Sequence, residues 1–175
     1  MKKSIGTDEY APYYAGYIEL VPDGNLLEIL KEQMDLTIEL LNGITEEQAL
    51  YRYAEGKWSL KEIIGHIADT ERVMCHRILT IARGDRTELP GYDVNEYVKH
   101  ASFDSHPLED LKKNLMAVRE SAIHLIKTLP PDAMTRRSTA NNHEVTVRAL
   151  IAIIAGHERH HLRLIKERYM PGMEN

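Results

Sequence analysis

Apolar residues recur at intervals of three and four through four stretches of the chain, the period of an amphipathic helix with one buried stripe. The first stretch runs from Asn25 to about Leu41, with Leu26, Ile29, Leu30, Met34, Ile38 and Leu41 on one face, and Asn42-Gly43 supplies its stop. The second opens at Ser59-Leu60-Lys61-Glu62, a capping box in which the serine hydroxyl accepts from the amide of residue 62 and the glutamate reaches back. It ends near Arg83-Gly84. Thr45-Glu46-Glu47-Gln48 has the same form and predicts a short helical turn. Pro107 suits the first position of a third helix carrying Leu108, Leu111, Leu115, Val118, Ala122, Leu125 and Leu129, and Pro130-Pro131 stops it. Thr146 caps a fourth helix from Val147 to about Tyr169, ahead of Pro171-Gly172.

Four such helices predict an all-α four-helix bundle over residues 25–170, with a long connection between helices 2 and 3. That connection, Asp85 to His106, holds Pro90, Gly91 and a short helix over Asn95 to His100. Residues 1–24 carry Tyr10, Pro12, Tyr13, Tyr14 and Tyr17 with no regular period, and are read as an ordered lead-in lying across the domain. Asp132 to Glu144 reads as a polar connection, and no stretch has a convincing strand pattern.

Composition narrows the function classes. The 22 Lys and Arg against 27 Asp and Glu give a net charge of −5, which argues against a protein that binds nucleic acid by neutralising phosphates. No apolar run approaches the roughly 20 residues that span a bilayer, and Met1-Lys2-Lys3 is followed by Thr7, Asp8 and Glu9 rather than a signal-like apolar segment. A cytoplasmic location without nucleic-acid or membrane partners is the expectation. The lone Cys75 excludes an internal disulfide or a Cys-x-x-Cys metal site, and nothing beside it suggests an activated thiol. Any metal must be held by histidine or carboxylate.

There are nine histidines. His157 and His161, four apart, share the face of the fourth helix that also carries Leu150, Ile153, Ile154 and Leu164, so both imidazoles are expected to point inward. His160 falls to one side. In the second helix His66 shares a stripe with Ile63, Thr70 and Val73, whereas His76 lines up with Arg72, Thr80 and Arg83. A lone inward histidine is commonly a hydrogen-bonded core residue, and a His-x-x-x-His pair arises in helices by chance. Three inward imidazoles on two helices can also surround one divalent ion, leaving a fourth position open for water, as catalytic sites do. Glu158 and Asp69 are candidate catalytic proton acceptors or partners behind the ligands, although an exposed helical carboxylate is the simpler account of each. Trp58 fits either the pocket mouth or a hydrophobic staple ahead of the cap. Asn141, Asn142 and His143 fit either the open end of the site or a simple polar turn.

The runs Gly56-Lys57-Trp58-Ser59-Leu60-Lys61-Glu62-Ile63-Ile64-Gly65-His66-Ile67-Ala68-Asp69-Thr70-Glu71-Arg72 and Ile154-Ala155-Gly156-His157-Glu158-Arg159-His160-His161 resemble the DinB family of metal-binding four-helix proteins. So do Leu89-Pro90-Gly91-Tyr92-Asp93 and the stretch from Thr139 to Leu150. The resemblance, which extends over nearly the whole chain, implies a DinB/YfiT-like bundle and a divalent ion held by His66, His157 and His161, with zinc, nickel or iron as the candidate metals. It implies a homodimer and a small-molecule substrate. Two chemistries follow from it: metal-dependent hydrolysis, in which a water is activated at the three-His site, or transfer of a low-molecular-weight thiol of the bacillithiol or mycothiol type. A third reading, from a different class, is a metal-binding bundle that performs no chemistry.

Overall fold

The computed structural model describes residues 5–173. The lead-in is short-helical where the sequence showed no period: a single turn at Pro12–Tyr14 runs into α1 (Ala15–Glu19), which packs against the last long helix. Then come α2 (Leu26–Leu41), the one-turn α3 (Glu46–Ala49), α4 (Leu60–Ala82), α5 (Val94–Ala101), α6 (Leu108–Lys127) and α7 (Val147–Leu164). Past α7 the helix widens into a π turn over Ile165–Tyr169 and finishes as α8 (Met170–Met173), so regular α-helix stops five residues before the predicted end at Tyr169.

The long helices α2, α4, α6 and α7 form the four-helix bundle, with α4 packed on both α6 and α7. Their ends follow local chemistry. Ser59 Oγ accepts from the Glu62 amide at 3.0 Å, and Glu62 Oε2 accepts from the Ser59 amide at 2.8 Å. Such a cap contributes about 1 kcal/mol and fixes where α4 begins, and therefore which way His66 faces. The Thr45–Gln48 box closes in the same way, and Thr146 caps α7 through the Ala149 amide at 3.2 Å. Among the described residues no helix is long and apolar enough to cross a membrane.

The polar connection after α6 is not strandless. Arg137–Ala140 (β1) and His143–Thr146 (β2) pair antiparallel, with Arg137 opposite Thr146 and Ala140 opposite His143. Asn141 and Asn142 adopt φ of 51° and 63°, the left-handed pair that a two-residue hairpin turn requires. Four-residue strands made mostly of polar residues carry almost no alternation, so the turn was the only legible part. Leu89 extends this ribbon: its amide donates to Thr139 O, and its carbonyl accepts from the Asn141 amide, both at 2.9 Å. The loop after α4 is thereby tied to the turn before α7.

Candidate metal centre

Six elements and loops enclose a cavity of about 350 Å³. Its floor is the inner face of α4, where His66, Thr70, Met74 and Arg77 recur at one-turn spacing, together with Ile153, His157 and His161 of α7. Tyr13, Tyr14 and Tyr17 of the lead-in, Trp58, Tyr92 and Asn141 complete the wall. Among the described residues no aspartate or glutamate lines it.

The three predicted histidines meet here. His66 Nε2 lies 3.0 Å from His157 Nε2, which lies 3.1 Å from His161 Nε2, and the three nitrogens fall within 4.8 Å of one another. All three residues are buried. Burial disfavours their charged forms, pushing His66 down to about 4 and His161 to about 3, and holding His157 well below the usual imidazole range. They are therefore neutral at physiological pH, the protonation state a ligand needs.

The arrangement fits a divalent cation better than it fits protein hydrogen bonding alone. A neutral Nε2 is either a donor or an acceptor, so His157 Nε2 cannot make a well-formed bond to each neighbour at once. His161 Nδ1 is buried with no hydrogen-bond partner. Three lone pairs aimed at one point are satisfied together by one cation, and imidazole nitrogen suits zinc, nickel and iron alike. Support from behind is present for His66: its Nδ1 lies 3.4 Å from Thr70 Oγ1, which accepts from the Tyr92 hydroxyl at 2.9 Å. That contact orients the ring, with Nδ1 towards Thr70 and Nε2 towards the other two histidines.

The other candidates are placed differently. Glu158 is not an exposed carboxylate but is 1% exposed, accepting from Thr37 Oγ1 at 2.6 Å, from Arg119 Nη2 at 2.7 Å and from Gln33 Nε2. One residue of helical rotation, about 100°, turns it from the histidine cavity towards α2 and α6. Asp69 is half-buried, pairs with Arg72 at 3.2 Å and does not line the cavity; its carboxyl is raised by burial against the pull of Arg72. Neither carboxylate is brought to the three histidines.

Trp58 is at the cavity, its ring centroid 4.8 Å from that of His66, and its carbonyl accepts from the Tyr169 hydroxyl at 2.7 Å. Asn141 lines the wall and donates to the Tyr13 hydroxyl at 3.1 Å, whereas His143 is exposed, meets Tyr13 edge-on and does not line the cavity. Cys75 is held up to about 12 by burial, as suits an inert thiol.

The lining residues that sequence reasoning missed include Tyr13, Tyr14, Tyr17, Tyr92 and Arg77. A signal for the tyrosines lay in Gly156: a Cβ there would stand 2.0 Å from Tyr17 O, so only glycine lets the lead-in backbone close against α7.

A four-helix bundle with three inward imidazoles, two from one helix and one from another, defines a class of bundle built around a histidine cluster. The DinB superfamily model matches residues 29–165, and the chain belongs to that superfamily. It is 26% identical over 129 residues to a protein of Oceanobacillus iheyensis named "Putative metal-dependent hydrolase OB0413", a match covering 73% of this chain and 74% of the relative. Two Bacillus subtilis structures share the fold. YfiT, described as "a probable metal-dependent hydrolase with an unusual four-helix bundle topology", superposes with a TM-score of 0.74 at 16% identity, covering 94% of each chain. The DinB-like protein YjoA superposes with a TM-score of 0.62 at 21% identity, covering 87% of this chain and 93% of its own.

Proposed function

We propose that this protein is a metal-dependent hydrolase of small molecules, with His66, His157 and His161 as the ligands of one divalent ion. The observation that carries the reading is the convergence of three buried, neutral Nε2 atoms on one point in the floor of an open cavity. The hydrolase naming of the Oceanobacillus iheyensis relative supports it. An ion held there supplies Lewis acidity, which lowers the pKa of a coordinated water at neutral pH. The chain's own residues do the rest. The helical spacing of His157 and His161 fixes two ligands on one rigid face, and Thr70, itself bonded to Tyr92, orients the His66 ring. The tyrosines and Trp58 supply an aromatic wall beside the three histidines.

Protein purified without a histidine tag is expected to contain about one divalent ion per chain, and His161→Ala to contain almost none. Elemental analysis reads the difference and identifies the metal. A His161→Ala protein with full occupancy overturns the ligand assignment. Assay against hydrolase and thiol-transfer panels, with and without added metal, tests the reaction, and metal-dependent thiol transfer without hydrolysis replaces it.

A further inference from the structure

The cavity has two chemically different ends. At one lie the three histidines. At the other is Arg77, 3% exposed and eleven residues further along the same face of α4, about 16 Å at the helical rise of about 1.5 Å per residue. The stem of a helical arginine leans back towards the helix N-terminus, so its guanidinium lies closer to the histidines than that figure.

Arg77 is a buried cation without a counter-charge. Its Nη2 donates to Pro90 O at 2.8 Å and its Nη1 to the Met74 sulfur at 3.9 Å, and the Tyr14 hydroxyl is beside it. Among the described residues no carboxylate pairs with it. This sets it apart from Arg119, the other deeply buried arginine, which is clamped by two carboxylates. Burying a guanidinium without an anion is costly, and an anion entering the cavity would offset that cost. The surroundings leave room for that visitor. The protein is acidic overall, yet among the described residues no acidic side chain lines this cavity. The loop Leu89-Pro90-Gly91-Tyr92 is pinned over Arg77 by its bonds to the hairpin turn, and the Pro90 carbonyl holds one edge of the fork while the side chain still forms part of the cavity lining.

We propose that Arg77 is the recognition site for a carboxylate on the substrate, so that the protein acts on small carboxylic acids that span the cavity, anion at Arg77 and reacting group at the three histidines. The planar fork of a guanidinium matches a carboxylate in two parallel hydrogen bonds, and the aromatic wall suits an apolar middle. The inference rests on the proposed function only in naming the histidine end as the reacting end.

Trp58 is the chain's one tryptophan and lines the cavity, so its fluorescence reports occupancy. Hydrocinnamate and its uncharged amide, alike in shape, are titrated into the zinc-loaded and the chelator-treated protein. The carboxylate is expected to bind about tenfold or more tightly than the amide in both forms, as a charge-assisted pair implies. Arg77→Gln brings it to the level of the amide with zinc content unchanged, and Arg77→Lys, which keeps the charge but loses the fork, retains part of the preference. Equal affinity of the two compounds for the wild-type protein overturns the proposal, as does a preference seen only with zinc, which places the carboxylate on the metal. A preference undiminished in Arg77→Gln overturns it too, and tighter binding of phenylethylphosphonate than of hydrocinnamate overturns the choice of carboxylate. Should the wild-type protein bind no zinc while the carboxylate preference persists without it, the metal-centre reading fails and this one stands.

Discussion

Two polar clusters lie inside the bundle, supplied in part by adjacent residues of α7, and they are built on opposite plans. Around Glu158, Arg119 makes four hydrogen bonds: to Glu71 at 2.7 and 2.9 Å, to Glu158 at 2.7 Å and to Leu30 O at 2.8 Å. Gln33 and Thr37 complete the glutamate. Burial opposes the charges of Arg119 and Glu71, but the attraction of the carboxylates holds the arginine proton firmly. One position away, His157 belongs to a cluster whose members offer lone pairs to a common point and have few partners of their own. The first cluster is closed and joins α2, α4, α6 and α7. The second is open and faces a cavity. Burial of polar groups alone therefore does not mark a functional site; incomplete pairing beside an accessible space does.

The contrast can be broken from the closed side first. Arg119→Met leaves two buried carboxylates without their cation and is expected to cost about 3–5 kcal/mol, read by urea unfolding, while folded protein keeps its metal content. Smaller is Gly156→Ala. Its added methyl meets the Tyr17 backbone, which must move, at a cost of about 1–3 kcal/mol together with weakened ligand quenching of Trp58. His161→Ala, measured in metal-free protein, is expected to change stability by less than about 1.5 kcal/mol, because the side chain it removes borders a cavity and lacks a partner for Nδ1. A loss as large as that of Arg119→Met would erase the distinction between the clusters.

The smallest effect is an acid-dependent one at the lead-in. Burial raises the Glu9 carboxyl, but Arg148, the Gly6 amide and Thr146 outweigh it and hold the group down to about 2, against an ordinary value of 4.5. A depressed carboxyl stabilises above its unfolded pKa, so this contribution is intact above about pH 4.5 and is lost as the pH falls towards 2. Thermal unfolding of wild-type protein and Glu9→Gln is expected to converge across that window and to differ above it.

The bundle and the histidine triad were legible because each depends on local pattern. Helical period set the faces, capping boxes set the starts of α3 and α4, and a spacing of four put His157 beside His161. What was not legible depends on partners remote in the chain. Glu158 looks like any helical carboxylate until Arg119, 39 residues earlier, is folded against it. Arg77 sits on the same stripe as His66, but its lack of a counter-charge is a fact about all the neighbours at once. The lead-in tyrosines carry no period because a five-residue helix is too short to show one. The π turn at Ile165–Tyr169 buries Ile165 and Tyr169, four apart as on a regular α-helix, and was invisible for that reason.

The placement of the three histidines also sets when the centre can exist. His66 and His157 are 91 residues apart. On a ribosome adding about 5–20 residues each second, His66 emerges about 5–20 s before its partners, and one imidazole holds a divalent ion poorly. Capture of an ion by the proposed three-histidine site therefore has to wait until α7 has docked against α4.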